Sequence, residues 1–388
     1  MKNITILGST GSIGMNALKV IRSNPDKYRA AALGAGRNVQ LLLGQIETVK
    51  PKAVSLLEED DTLYLKDQLQ GKYCPDVYFG QEGFTRIATL DEIDTVISAV
   101  TGAAGLIPTF EAIRAGKNIA LANKETMVMA GPLVMEEARR RDVAILPVDS
   151  EHSAILQSLQ GHPRNDVTRV ILTASGGPFR DYKLEELKKV TTEQALNHPN
   201  WEMGAKISID SATMMNKGLE AIEAKWLFDL EIDQIHILIH PQSVVHSMVE
   251  YRDKSIVAQL GIPDMIIPIS YALSFPDHSE NELESLKLDE VGTLTFEKPD
   301  YEKFRCLSLA LEAARAGKSM PAVLNGANEI AVDSFLDKRI LFTDIPVIVE
   351  ETMARHNPFA IDCIESVMEA DRWSRQTAER IREDISGP

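Results

Sequence analysis

Residues 3–22 read NITILGSTGSIGMNALKVIR. The first five fit a buried β-strand, GSTGSIG follows at once at 8–14, and a helical pattern runs from 15 to 22. This is a GxxGxxG variant of the dinucleotide fingerprint. Its glycines permit a tight turn and close backbone approach, and the helix N-terminus that follows faces a pyrophosphate. An ordinary glycine-rich turn is the plainer alternative. The placement between a strand and a helix at the start of the chain favours the nucleotide reading.

Working outward, a second strand at 29–33 ends in Gly34-Ala35-Gly36-Arg37-Asn38. An NAD-preferring domain usually carries an acid there to hold the ribose diol. This chain offers Arg37 and Asn38 instead, and a guanidinium suits a 2′-phosphate, so NADPH is the expected cofactor. Arg37 also reads as a solvated loop cation. Further strands at 53–56, 77–79, 95–100, 118–122 and 143–148 alternate with helical patterns, which predicts a doubly wound parallel sheet. Ligands of such sheets bind at the carboxyl ends of strands. Lys124 lies at one such end, where it is either a functional cation or a helix-capping or surface lysine. Asp149-Ser150-Glu151-His152 follows another. Two carboxylates two residues apart can converge on one hard cation, with Mg²⁺ or Mn²⁺ favoured over structural zinc because no thiolate is near. The same residues also serve as a helix start, with Asp149 or Ser150 as the cap.

The stretch HPNWEMGAKISIDSATMMNKGLE at 198–220 is the second focus. It opens as a Pro/Gly-bounded loop carrying Trp201 and Met203, continues as a β-type run at 206–209, and supplies a helix start at Asp210-Ser211. At 100° per residue, Met215, Leu219, Ile222 and Trp226 form the core-facing stripe. Thr213, Asn216, Lys217 and Glu220 fall opposite, which on spacing alone is an exposed polar face. Their company, with His198, Trp201 and two serines, is also a set able to bind phosphate, hydroxyls and a cation. A strand at 167–172 leads into TASGGPFR, a turn whose amides can hold an anion. Segments 244–251 and 255–260 flank a turn as a hairpin whose apolar alternation suggests a sheet covered by a second copy. Residues 275–296 turn polar and acidic, and from 304 the pattern is helical.

Composition bounds these readings. A chain of 388 residues that is 44% hydrophobic and 25% charged has room for two or three ordinary globular domains. A net charge of −16 argues against nucleic acid or an anionic membrane as partner. Three widely spaced cysteines with no CxxC give neither a disulfide framework nor a zinc knuckle, and they fit a reducing compartment. No apolar run is long enough for a membrane span, and the first strand begins too early for a leader peptide. The expected location is cytoplasmic.

GSTGSIG at 8–14, LANKE at 121–125, VDSEHSAI at 148–155, TASGGPFR at 173–180, the 198–220 stretch, HPQSVVHSMVEYRDKS at 240–255 and GIPDM at 261–265 together resemble the 1-deoxy-D-xylulose 5-phosphate reductoisomerase family. The resemblance runs from residue 3 to about 336, and the helical tail suits the family's third domain. It implies NADPH- and divalent-metal-dependent conversion of 1-deoxy-D-xylulose 5-phosphate to 2-C-methyl-D-erythritol 4-phosphate, with Mn²⁺, Mg²⁺ or Co²⁺. The implied architecture is a Rossmann-like domain at 1–149, a central α+β catalytic and dimerisation domain with a mixed sheet at 150–274, a linker at 275–299 and a helical bundle at 300–388. The implied metal ligands are Asp149, Glu151 and Glu220. Ser150, Glu151, Ser175, Ser211, Asn216, Lys217 and Glu220 match substrate contacts, and His198, Trp201 and Met203 match a mobile flap over the substrate. Catalytic roles fall to Lys124, His198 and the metal ligands. Cofactor contacts are expected at Thr10, Gly11, Ser12, Ile13, Gly14, Gly36, Arg37, Asn38, Asn123, Lys124, Glu125 and Gly204. Glu202 and Ala205 depart slightly from the flap pattern. A homodimer is implied.

Two other classes compete. An NADP-dependent semialdehyde dehydrogenase shares the layout but needs a cysteine nucleophile in its second domain. A redox-sensing nucleotide-binding regulator would need a basic DNA-reading segment that is not evident here.

Overall fold

Apolar strands joined by helical crossovers can bury both sheet faces only in a layered α/β arrangement. The computed structural model describes residues 1–201 and 203–386 and divides into two compact units. Unit 1 comprises residues 1–126, 134–153 and 264–283; unit 2 comprises 127–133, 154–263 and 284–388.

Unit 1 holds seven strands: β1 (Lys2–Leu7), β2 (Tyr28–Ala35), β3 (Ala53–Leu56), β4 (Asp76–Phe79), β5 (Thr95–Ser98), β6 (Asn118–Leu121) and β7 (Ile145–Pro147). They form one parallel sheet in the order β4-β3-β2-β1-β5-β6-β7. The chain steps outward from β1 to β4 and then returns to β5. The strand order therefore reverses beside β1, which is where such sheets bind ligands. The Ile266–Ser274 helix, far along the chain, adds Ile269, Ala272 and Leu273 to the same apolar core as Ile4, Ile6, Leu33 and Ile97.

Unit 2 contains β8 (Val167–Ala174), β9 (Ile235–Ile239), β10 (Val245–Tyr251) and β11 (Ile256–Leu260), in the order β11-β10-β8-β9. The β8–β9 pair is parallel and the others antiparallel, so the expected mixed sheet and its hairpin are present. The Met215–Phe228 helix lies on β8 and β9, and the Arg305–Ala316 helix packs on it in turn. Gly218 makes that second contact close, since a Cβ there would come within 2.3 Å of the Ala310 Cβ. The tail is helical as expected, with Met320–Leu336 packed between Asp344–Ala354 and Ile364–Ser386. Among the described residues no helix is long and apolar enough to cross a membrane.

Three local expectations are corrected. Residues 206–209 are not a strand but part of the Ala205–Ala212 helix, which follows the Gly204 N-cap and carries a Lys206–Asp210 pair one turn apart. Four residues of apolar–polar alternation cannot separate the two periods. Asp210-Ser211 is accordingly the end of one helix rather than the start of another. The next helix begins at Met215, after Met214 turns the chain with a φ of 61°. Thr213, Lys217 and Glu220 are buried rather than exposed, because this helix is covered on both sides.

The Arg305–Ala316 helix also buries Cys306, and desolvation pushes its thiol up to about 12. Cys74 and Cys363 are exposed. A disulfide-exchange reagent at pH 8 should therefore react rapidly with two thiols per native chain and with the third only on unfolding. Three equal rates in the native state would refute this burial.

Candidate active site

In unit 1 the loop after β1 is fixed from several directions. The Gly8 and Ser9 amides donate to the Gly34 carbonyl at 2.9 and 2.8 Å. Ser9 Oγ donates to Gln45 Oε1, and Gln45 Nε2 returns a bond to the Ser9 carbonyl, both at 2.8 Å and buried. Gly8 has a φ of 93°, and a Cβ at Gly14 would sit 2.2 Å from the Gly8 carbonyl oxygen. Only hydrogen fits at that crossing, which matches the close-packing role of the fingerprint's last glycine. The Ser12–Ser23 helix then starts with no acid in its first turn, and Gly11 and Ser12 are exposed. Its first amides have no helical acceptor and suit an anion. Arg37 and Asn38 follow β2 and are exposed; Asn38 also caps the next helix by accepting from the Leu41 amide at 3.1 Å.

Asn123 and Lys124 begin the Lys124–Arg141 helix at the end of β6. Asn123 is buried. Its Oδ1 accepts from the Thr126 amide, while Nδ2 donates to the Val100 and Gly102 carbonyls at 2.6 and 2.9 Å and to Glu125 at 3.0 Å. It latches together the loops after β5 and β6, a duty that its place in the sequence does not reveal. Lys124 is buried and ion-paired with Asp149 just beyond β7, so its surface reading is excluded. Ser150 Oγ donates to Glu151 at 2.6 Å, and His152 Nδ1 lies 3.7 Å from Asp149. A strand-end lysine and two carboxylates are thus gathered within this unit.

In unit 2 the Ser175–Gly177 turn after β8, the 198–201 loop and the start of the Met215–Phe228 helix carry the expected residues. His198 Nδ1 accepts from the backbone amides of Asn200 and Trp201 at 3.2 and 3.1 Å. That assigns the ring proton to Nε2, which donates to Ser175 Oγ at 2.9 Å. Ser175 Oγ also accepts from the Gly177 amide at 3.1 Å, leaving its own proton to donate to an anion. Gly177 (φ 69°) lies against the end of the Ala205–Ala212 helix, where a Cβ would come within 2.6 Å of the Ser211 carbonyl oxygen. Asn200 Nδ2 anchors the loop on the Pro241 carbonyl and Ser243 Oγ at 2.7 and 2.8 Å, and the Trp201 ring lies 6.3 Å from that of His246. Met203 is half-buried and Gly204 exposed, and Glu202 lies outside the described residues.

Glu220 is 0% exposed. Its two oxygens accept from Asn216 Nδ2 at 2.6 Å and Lys217 Nζ at 2.5 Å. A carboxylate removed from water requires such compensation. The three residues form one unit at the helix start, with Ser211 four residues before Met215. Sequence reasoning missed Asp210 and Asn328, buried partners at 2.8 Å that lie too far apart in the chain for any spacing to link them.

The reversal point of a parallel sheet, closed by glycines and followed by a second, mixed-sheet unit bearing buried acids, defines a dinucleotide-dependent α/β enzyme. The particular family follows from comparison. Models of the 1-deoxy-D-xylulose 5-phosphate reductoisomerase family match residues 4–131, its C-terminal domain model matches 145–228, and a further DXP reductoisomerase C-terminal domain matches 260–377. A reductoisomerase from Pelodictyon phaeoclathratiforme is 55% identical over 98% of this chain and 99% of its own length. One from Pelotomaculum thermopropionicum is 52% identical over 99% and 100%. A solved reductoisomerase from Zymomonas mobilis in complex with NADPH is 45% identical with a TM-score of 0.92, covering 99% of this chain and all of that one. Another, in complex with NADPH, fosmidomycin and magnesium, is 42% identical with a TM-score of 0.93, covering 99% and 98%. The chain belongs to the 1-deoxy-D-xylulose 5-phosphate reductoisomerase family.

Proposed function

We infer that this protein converts 1-deoxy-D-xylulose 5-phosphate to 2-C-methyl-D-erythritol 4-phosphate, using NADPH and a divalent cation. The observation that carries the reading, beside family membership, is the buried Asn216–Lys217–Glu220 group at a helix start. It offers donors to an anion and an oxygen ligand to a cation from one turn.

The residues fit both groups. Asp149, Glu151 and Glu220 are oxygen ligands only, which suits Mg²⁺, Mn²⁺ or Co²⁺ over thiophilic ions. Lys124 and Lys217 already bring ammonium groups to Asp149 and Glu220, so these acids answer a cation. For NADPH, the Gly8–Gly14 crossing and the acid-free helix start suit a pyrophosphate, with contacts from Thr10, Gly11, Ser12, Ile13 and Gly14. Gly36, Arg37 and Asn38 serve the ribose phosphate, and Asn123, Lys124, Glu125 and Gly204 complete the cofactor contacts.

A divalent cation held by Asp149, Glu151 and Glu220 would supply Lewis acidity to the substrate's oxygens during the carbon–carbon rearrangement. The chain's own residues hold and orient. Ser175, Ser211, Asn216 and Lys217 bind the phosphate, whose binding energy is spent away from the reacting carbons and fixes their position. Ser150 and Glu151 face the sugar hydroxyls. His198 keeps its proton on Nε2 and directs the Ser175 hydroxyl. Trp201 and Met203 close over the substrate and exclude water from a reactive aldehyde. The rival dehydrogenase chemistry fits less well: Cys306 is buried with its thiol held neutral, Cys74 lies in the first unit on the loop before β4, and Cys363 sits in the bend that precedes the Ile364–Ser386 helix of the tail.

In an assay following NADPH absorbance with deoxyxylulose phosphate, chelation by EDTA should abolish turnover and Mg²⁺ or Mn²⁺ restore it. Glu220→Gln should raise the metal concentration needed by about tenfold or more. Full activity of that variant in chelator would remove the metal assignment. Arg37→Ala should raise the KM for NADPH about tenfold while leaving that for NADH in place; equal shifts would mean that Arg37 does not read the 2′-phosphate. We also propose a homodimer through the second sheet. Its edge strand β11 leaves Ile256 50% exposed, and Leu260 is exposed beside it. Sedimentation at micromolar concentration should give twice the chain mass, and a clean monomer contradicts the proposal.

A further inference from the structure

Asp210 directly precedes Ser211 and is 1% exposed. Its Oδ1 accepts from Asn328 Nδ2 at 2.8 Å, and its Oδ2 pairs with Lys206 Nζ at 2.7 Å. Asn328 is 0% exposed and lies on Met320–Leu336, the central helix of the tail bundle. That helix is itself pinned nearby: Glu329 Oε2 takes a 2.5 Å bond from Arg375, which also donates to Asp371 at 2.8 Å. An ionised carboxylate buried this deeply is costly unless its bonds are satisfied. A hydrophobic residue would pack a helix end more cheaply, so the pair calls for another explanation.

The position of Asp210 supplies one. It sits in the last turn of Ala205–Ala212, where the Ser211 carbonyl touches Gly177 and the chain then swings through Met214 into Asn216 and Lys217. Rotation of this turn would shift Ser211 against the Ser175–Gly177 turn, on which its carbonyl rests. We propose that Asp210 and Asn328 are positioning residues for the substrate's phosphate. The tail helix clamps the end of the Ala205–Ala212 helix through this bond and so sets the spacing of Ser211 from Ser175. The inference rests on the reading of Ser175 and Ser211 as phosphate contacts. It gives the C-terminal bundle a part in recognition beyond packing.

The experiment measures steady-state kinetics of the full-length enzyme with saturating Mg²⁺, varying sugar phosphate and NADPH separately. The variants are Asn328→Ala, the exchanged pair Asp210→Asn/Asn328→Asp, and Ser211→Ala. Asn328→Ala should raise the KM for deoxyxylulose phosphate about tenfold, with kcat and the KM for NADPH changing by no more than about twofold. The exchanged pair rebuilds the bond with donor and acceptor reversed and should recover much of that loss. Thermal melts identify variants that do not fold. A lowered melting temperature with the sugar-phosphate KM unmoved would overturn the proposal, as would an exchanged pair that folds but recovers nothing. If Ser211→Ala leaves the KM unchanged while Asn328→Ala raises it, the phosphate reading of Ser211 fails and the clamp on this turn stands. The opposite pattern sinks the clamp.

Discussion

A carboxylate with no access to water must be paired, and Glu220 is such a group. Moving an ion of that size out of water carries an effective penalty of several kcal/mol even after relaxation, about the whole stability of many domains. Asn216 and Lys217 meet it within one helical turn, and Gly218 just after them lets the Arg305–Ala316 helix pack closely on the same segment. Ordinary packing would favour an apolar residue here. Retaining an acid, an amide and an ammonium together under cover is the expected signature of a site whose charges are completed by ligands. The Asp210–Lys206–Asn328 group repeats the pattern one helix earlier, so the second unit is organised around two satisfied buried acids rather than around apolar contact alone.

The first unit solves a different problem. A pyrophosphate must approach backbone amides closely, which demands that no side chain stand in the way. Gly8 and Gly14 achieve this by contact with backbone atoms, and the Ser9–Gln45 exchange holds the loop rigid from beneath. Preorganised amides lose little on binding, and the loop gains its precision from buried bonds rather than from the ligand.

Much of this was readable from the chain. Residues 3–22 carry strand, turn and helix signals that agree, and Gly8 and Gly14 of the turn leave no room for a side chain, so fold and cofactor class follow from them. The 206–209 run reads as β-type in sequence yet is helical, because four residues of alternation are too few to separate strand from helix. Tertiary context decided it, through Lys206–Asp210 and Asn328. The polar face of Met215–Phe228 reads as exposed from its spacing and as a ligand-binding set from its residue types; its burial depends on the Arg305–Ala316 helix, distant in the chain, which a helical wheel cannot see. The family resemblance implies a cofactor contact at Asn123, and its latch on the Val100 and Gly102 carbonyls emerges only when two crossovers are placed side by side.

Net charge is the subtler lesson. A chain at −16 is a poor prospect for polyanions, yet the reaction requires two phosphate-bearing ligands. At physiological salt, charges are screened over about 8 Å, so a ligand entering a cleft responds to its immediate lining rather than to the whole surface. On the contacts proposed above, those linings would be helix starts, Arg37 and Lys217, of which the Ser12–Ser23 helix has no acid in its first turn and Lys217 stands paired with Glu220. A surplus of carboxylates disfavours extended polyanions in general, while a compact phosphate depends on local donors. Global acidity and local anion recognition are therefore compatible, because they act over different distances.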